Sequence, residues 1–160
     1  MSVEIRKIGP NDKEAFVALS LALTKFNRRQ HDKHYENFEK FLRVRKRRVE
    51  ERFGKIGQSP HTLIIMAFKN TKPVGYLRAF TYDKELRRGC LDELFLTEDA
   101  RGQGISKKLL DAATQWMEEQ NVIRMITSVY SWNAPARTFY EEAGFLEHSL
   151  SYEKVIPSLS

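Results

Sequence analysis

Apolar positions change their period several times along this chain, and each change marks a predicted element. Val3, Ile5 and Ile8 form a short extended opening that stops at Gly9-Pro10. Asn11 with Glu14 three residues on has capping-box spacing. Phe16, Leu19, Leu23 and Phe26 then recur at three- and four-residue intervals, which predicts a first helix with one core face. A polar stretch from Asn27 to His34 precedes a second helix with Tyr35, Phe38, Phe41, Leu42, Val49 and Phe53 near one side. Glu36–Lys40 and Glu39–Arg43 supply acid-before-base pairs on its wet side, and Gly54 and Gly57 end it. Thr62–Phe68 is a bounded apolar run, and Val74–Thr81 reads as its hairpin partner across Asn70–Pro73. A third strand covers roughly Arg88 to Thr97. The turn Arg101–Gly104 then opens a helix whose apolar face is Ile105, Leu109, Ala112, Ala113 and Trp116. Ile123–Tyr130 returns as a strand, Asn133–Ala143 is a short helix closed by Gly144, and Phe145–Val155 is a last strand. Strands and helices run mixed with no linker and no internal repeat. The expectation is one α/β (α+β) domain over residues 1–160.

Composition narrows this picture. At 160 residues, 41% hydrophobic and 30% charged, with 8 Gly and 5 Pro, the chain can bury a core without a disulfide or metal, and it is neither disordered nor low-complexity. Its single cysteine, Cys90, suits a reducing compartment. The opening MSVEIRKIGP lacks the apolar region of a secretory leader, and no apolar stretch approaches the roughly 18 residues of a membrane span. A cytoplasmic location is expected. The net charge of +6 is concentrated: Lys25–Lys55 holds 12 Lys and Arg against 5 Asp and Glu, so the remainder is close to neutral.

The strongest local chemistry lies in Glu98–Ser106. Two glycines and a serine at a strand-to-helix turn uncover backbone N–H groups where the positive end of the helix dipole also points, which suits an anion. Arg101, Lys107 and Lys108 add positive charge. A Walker A loop needs four residues between its glycines and then Gly-Lys-Ser/Thr, which is absent. The third glycine of a dinucleotide fingerprint would fall on Lys107.

A second segment, Asn133-Ala-Pro-Ala-Arg-Thr-Phe-Tyr-Glu-Glu-Ala-Gly-Phe145, follows about thirty residues later on the next strand-to-helix unit. Together the two resemble the GCN5-related N-acetyltransferase (GNAT) superfamily. Its pyrophosphate motif, Gln/Arg-x-x-Gly-x-Gly/Ala, matches Arg101-Gly102-Gln103-Gly104-Ile105-Ser106 except at Ser106. Its second motif matches Asn133, Ala136, Phe139, Tyr140, Gly144 and Phe145, and Leu91–Leu96 resembles the strand leading into the first. Element order agrees from Val3 to Val155. The resemblance implies a mixed sheet of about six to seven strands with flanking helices and a splayed strand pair holding acetyl-CoA. It implies direct acetyl transfer, through a ternary complex, to a primary amine of a small molecule or a peptide. Backbone groups of Leu94, Phe95 and Leu96 would bind the pantetheine arm, with an N–H there polarising the thioester carbonyl. Residues Arg101 to Ser106 would bind the pyrophosphate, and Asn133, Ala136 and Phe139 would also meet the cofactor. Tyr140 matches the general acid that protonates the departing thiolate. The resemblance ranks Asp92 first as base. Glu93 is the other carboxylate, and strand alternation sends the two to opposite faces. Either could instead simply pair with Arg87 or Arg88.

Other residues have plainer readings. Cys90 lacks a histidine partner at recognisable spacing and reads as a small apolar residue. His31-x-x-His34 has ligand spacing but no third ligand, so no metal is expected. Trp116 and Trp132 read as core or rim. The basic run Arg43–Arg48 reads as a solvated helix face. Its rival is a non-catalytic domain binding CoA or nucleic acid through helix 38–53, but no nucleic-acid-reading motif accompanies it. A positive wall beside the acceptor would disfavour polycationic amines and favour amines carrying a carboxylate or phosphate. The resemblance implies a possible homodimer, although no exposed apolar stripe marks an interface, and no membrane partner is expected.

Overall fold

The structure, a computed structural model, describes residues 2–29, 37–154 and 156. In chain order the elements are β1 (Val3–Lys7), α1 (Lys13–Arg29), α2 (Phe38–Phe53), β2 (Thr62–Lys69), β3 (Lys72–Asp83), β4 (Arg88–Leu96), α3 (Ile105–Glu119), β5 (Arg124–Thr127) and α4 (Ala134–Glu142), with single 3-10 turns at Pro10–Asp12 and Glu98–Ala100. Sheet order follows chain order: β1 to β4 are antiparallel neighbours, and β5 joins β4 in parallel after the α3 crossover. Residues His31, His34, Tyr35 and Glu36 lie outside the described residues. Within them, no group of three His, Cys, Asp or Glu could hold a metal ion, and no helix is long and apolar enough to cross a membrane.

Two cores sandwich the sheet, which explains why β2 reads as an unbroken apolar run. Leu63, Ile65 and Ala67 face α3 with Leu77, Leu91, Leu96, Leu109 and Trp116, while Ile64, Met66 and Phe68 face α1 and α2 with Phe16, Val49, Tyr76 and Phe95. A strand covered on both sides has no polar face to alternate with.

The first helix is capped differently from expectation. Asp12, not Asn11, serves its entry: the Asp12 carboxylate accepts the Gly9 N–H at 2.7 Å and both Arg6 guanidinium nitrogens at 2.7 and 2.9 Å. The Arg6 bond, with help from the Gly9 N–H, outweighs burial and holds this carboxyl below the usual range. At the second helix Asn37 is the N-cap and accepts the Lys40 N–H at 3.0 Å. The ion pair formed along α2 is Arg47–Glu51 at 3.8 Å.

Two strand expectations need correction. The strand expected over Ile123–Tyr130 is regular only at Arg124–Thr127, because β4 accompanies it no further. The strand expected at Phe145–Val155 does not form among the described residues; Phe145–Lys154 has no regular structure, and the sheet has five strands rather than six or seven. Strands need a partner, and this segment has none among the described residues.

Candidate active site

The site is built where β4 and β5 part. Their pairing runs from Arg88↔Arg124 to Leu91↔Thr127 and stops. Beyond it, Glu93 to Leu96 stay paired to β3 on one side only. The other edge of these residues presents backbone groups with no strand beside them, which is what an extended amide-bearing ligand requires. Phe95 and Leu96 are themselves core residues, 8% and 6% exposed, so only their main chain is on offer.

At the end of this edge the chain turns into α3. Gly102 and Gly104 take positive φ angles of 71° and 74°, and a Cβ placed on either would meet nothing within 4 Å. The conformation needs glycine for its backbone, and the space in front of it is open. The α3 N-terminus adds first-turn N–H groups and the positive end of a 15-residue helix. Ile105 contributes only its backbone, since its side chain is 1% exposed. Gln103 is folded away: its amide donates to Asp99 O at 2.8 Å and its oxygen accepts Lys69 Nζ at 2.7 Å. Ser106 sits half-buried in the first turn. Lys107 is turned along the helix to Asp111 at 2.8 Å. Arg101 lies back from the glycines, donating to Leu96 O at 3.2 and 3.3 Å with its guanidinium 4.9 Å from the Phe26 ring centre.

From the second motif, Asn133 is the N-cap of α4; its Oδ1 accepts the Ala136 N–H at 3.3 Å. Pro135 in the first turn fits a helix start, where no N–H is lost. Phe139 and Phe145 enclose Tyr140, with ring centres 5.1 and 5.3 Å away. Tyr140 is buried at 8% exposure, and its hydroxyl meets the Thr127 side chain, at the last paired residue before the strands diverge. Burial pushes this phenol up to about 12, with the Thr127 bond pulling slightly the other way. It is therefore a neutral O–H at any physiological pH.

The two carboxylates share one face, contrary to alternation. Arg78 pairs with Glu93 and Ala79 with Leu91, so Asp92 is an extra residue, a β-bulge. Asp92 is ion-paired to Arg78, and Glu93 accepts from Tyr76; Tyr76 and Arg78 are two apart on β3 and point the same way. The carboxylates differ in their surroundings. Glu93 is 8% exposed; its Oε1 accepts Arg45 at 2.7 Å and Arg52 at 3.0 Å, and its Oε2 accepts the Tyr76 hydroxyl at 2.7 Å. Burial pushes the Glu93 carboxyl up, yet Arg45, the Tyr76 hydroxyl and Arg52 together hold it below the usual range. Ser20 lies 3.3 Å from the Tyr76 oxygen, and Arg45 Nε donates to Thr24 at 3.3 Å, so the network ties α1 and α2 to β4. The Asp92 side chain is 35% exposed. Neither carboxylate pairs with Arg87 or Arg88; the partners are Arg78, Arg45 and Arg52.

Residues 22–145 match the sequence profile of the acetyltransferase (GNAT) family. The chain belongs to that family. As a GNAT protein it is an N-acetyltransferase that uses acetyl-CoA. Solved structures agree in fold. The PaiA N-acetyltransferase of Thermoplasma acidophilum, in complex with coenzyme A, is 21% identical with a TM-score of 0.80 over 94% of both chains. A ribosomal-protein-alanine N-acetyltransferase of Brucella melitensis biovar Abortus 2308 is 20% identical with a TM-score of 0.68, over 97% of this chain and all of that one. Glucosamine-6-phosphate N-acetyltransferase of Arabidopsis thaliana is 19% identical with a TM-score of 0.71, over 98% and 100%.

Sequence reasoning passed over Thr127, Arg78 and the Ser20–Tyr76–Arg45–Arg52 network. One signal was present. Arg45, Val49 and Arg52 share a helical stripe at i, i+4 and i+7, and an arginine on a buried stripe requires an acidic partner. Cys90 is half-buried, and burial followed by the Asp92 charge pushes its thiol up, the opposite of an activated nucleophile.

Proposed function

We propose that this protein transfers the acetyl group of acetyl-CoA directly to a primary amine, with both substrates bound together. The observation that carries the proposal is the coincidence, at one vertex, of the unpaired β4 edge and the Tyr140 hydroxyl, with the Gly102–Gly104 cradle at the far end of that edge. In this reading the backbone of Leu94, Phe95 and Leu96 aligns the pantetheine arm, and an N–H of that edge stabilises charge on the thioester oxygen. The N–H groups of residues 102–106 hold the pyrophosphate. Arg101 moves from the Leu96 carbonyl to admit the arm. Asn133, its oxygen spent on capping, offers its amide NH2, and Ala136 and Phe139 line the same side. The acceptor amine must reach the carbonyl uncharged, since an alkyl ammonium has no lone pair. We assign its deprotonation to Asp92, direct or through water, because Glu93 has both oxygens engaged by Arg45, Arg52 and Tyr76. As the amine bonds to the acetyl carbon the C–S bond breaks, and Tyr140 gives its proton to the departing thiolate.

The rival reading, nucleic-acid binding through α2, has less support. Arg45 and Arg52 turn inward to Glu93 and Arg47 pairs with Glu51, which takes three of the cations of α2 away from such a partner. The same neutralisation weakens the positive acceptor wall, so anionic amines belong in a panel beside amino acids, polyamines, aminoglycosides and short peptides.

The test combines melting and turnover. Acetyl-CoA at a hundredfold its Kd raises stability by about 2.7 kcal/mol, and thiol release identifies the acceptor. Tyr140→Phe is expected to retain the melting shift and to lose on the order of 10²-fold in kcat. Undiminished turnover in that variant would remove Tyr140 from the mechanism.

A further inference from the structure

The sheet face under α1 and α2 continues past the core that those helices form with Ile64, Met66, Tyr76 and Phe95. Side-chain direction there follows from register. A Cβ on Gly89 would meet Met117 of α3, and Leu77, Ala79, Leu91 and Met125 pack in the α3 core, so the residues between them point to the opposite face. These are Phe80 and Tyr82 on β3, Arg88 and Cys90 on β4, and Arg124 and Ile126 on β5. The Phe80 and Tyr82 rings touch, with centres 6.4 Å apart. Phe80, Tyr82, Cys90 and Ile126 belong to neither core, and Tyr82 and Ile126 are 47% and 37% exposed. Asp92 stands at the head of this face, held by Arg78, whose guanidinium lies 5.1 Å from the Phe80 ring centre. An apolar floor therefore leads away from the carboxylate assigned to the acceptor amine, and exposed apolar side chains gathered in one patch mark a binding surface.

The floor ends on charge. Arg88 and Arg124 are partners in the parallel register, on strands about 4.8 Å apart. Like charges set side by side on a sheet repel, and among the described residues no carboxylate forms an ion pair with either. Asp83 stands opposite Arg88 in the β3 register, but its Oδ1 accepts the Leu86 N–H at 2.7 Å. Two guanidiniums on adjacent strands suit one anionic group held between them. Arg88 and Asp92 are four residues apart on β4 with the bulge at one end, a separation of roughly 10–13 Å.

We propose that the acceptor is a primary amine on an apolar stem that ends in an anionic group. Its nitrogen meets Asp92, its stem lies on Phe80, Cys90 and Ile126, and its anion sits between Arg88 and Arg124. This assignment rests on the acetyl-transfer reading above and adds to it the residues that choose the acceptor. A second ammonium at the far end of the stem would meet the two arginines and be repelled, which sets polyamines apart.

Thiol release is measured at saturating acetyl-CoA with four acceptors whose stems match this separation: 7-aminoheptanoate, 6-aminohexyl phosphate, heptylamine and 1,7-diaminoheptane. At least one anionic probe is expected to exceed heptylamine in kcat/KM by on the order of tenfold, through KM, and diaminoheptane to fall below heptylamine. The larger of the two anionic preferences names the anion. Arg88→Gln with Arg124→Gln is expected to bring the anion-to-heptylamine ratio close to one, and Arg88→Glu with Arg124→Glu to favour diaminoheptane. Each ratio is taken within one protein, so partial unfolding of a variant cancels. Should a double variant not fold, Arg124→Glu alone, at an exposed position, is expected to move the ratio the same way by less. A wild type that acetylates other amines but prefers neither anionic probe overturns this proposal alone, as does a preference that the Arg88 and Arg124 variants retain. Absence of turnover with every amine overturns the acetyl-transfer reading and this proposal with it.

Discussion

Glu93→Ala separates scaffold from chemistry at this site. The side chain is 9% exposed, and removing it leaves Arg45 and Arg52, 22% and 26% exposed, facing each other without their shared carboxylate. It also takes the 2.7 Å acceptor from the hydroxyl of Tyr76, a residue with no exposed surface, and leaves it the Ser20 oxygen at 3.3 Å. Breaking a buried pair by deleting one partner costs about 3–5 kcal/mol. The partial exposure of both arginines puts this case near 3, with the lost Tyr76 hydrogen bond adding on the order of 1 kcal/mol. For a chain of this length each kcal/mol moves Tm by roughly 2–4 °C, so a drop of roughly 6–15 °C is expected, measured by circular dichroism and by urea titration. The triple substitution Glu93→Leu, Arg45→Met, Arg52→Met is expected to recover most of the loss, because a well-packed apolar cluster replaces an ion cluster at little net cost. Glu93→Gln is expected to keep kcat within a few-fold at a temperature where it is folded. A loss under about 1 kcal/mol in Glu93→Ala would refute the argument that this network ties α1 and α2 to the sheet.

Asp92→Asn is expected to depress kcat/KM and flatten its rise with pH on the acid side; an unchanged profile takes Asp92 out of the proton path. Since Tyr140 stays protonated up to about 12, the wild-type rate is expected to show no loss from phenol ionisation below about pH 10, checked by buffer-corrected thiol release. Asp12 and Glu93 both have carboxyls held below their ordinary values, so each stabilises the fold fully above the unfolded pKa of about 4 and ceases to as pH falls through its folded value. Tm is therefore expected to be level down to about pH 5 and to fall steeply below pH 4, with a shallower fall in Asp12→Asn. Gly75→Ala would place a methyl 2.5 Å from the Phe95 carbonyl oxygen and 2.3 Å from Leu96 Cδ2. Overpacking of this kind costs roughly 1–3 kcal/mol. Because the obstacle includes β4 backbone, the acetyl-CoA melting shift is expected to shrink with it, and a full-sized shift would show that the β4 edge does not hold the cofactor.

Elements were legible wherever one chain segment carried its own pattern. β2, β3, β4, α3 and α4 appear within about two residues of their expected bounds because burial on one or two faces writes itself into local spacing. The turn at Gly102 and Gly104 was legible for the same reason: a backbone requirement leaves glycines in place. What escaped was pairing between distant segments. Nothing within Arg43–Arg48 says that Arg45 turns in to meet Glu93, 48 residues away, while Arg47 turns out to Glu51. The Asp92 bulge escaped because Leu91-Asp-Glu-Leu fits a regular strand and a bulged one equally well. The last strand failed for a complementary reason. Its alternation is correct, but a strand exists only against a neighbour, and the sequence of one chain does not say where that neighbour stands.

The extra residue in β4 also sets a rule for what this chain can lose. Because β4 pairs with β3 on both sides of Asp92, deleting that one residue would restore an even ladder without inverting a side chain. Leu91 opposite Ala79 and Glu93 opposite Arg78 already point to opposite layers, as consecutive residues of a regular strand do. Deleting Leu91 or Glu93 instead would leave a neighbour facing the wrong layer. The bulge thus lets the strand carry a second carboxylate at position 92 without disturbing the register on either side, and losing Asp92 is expected to cost its chemistry more than the fold.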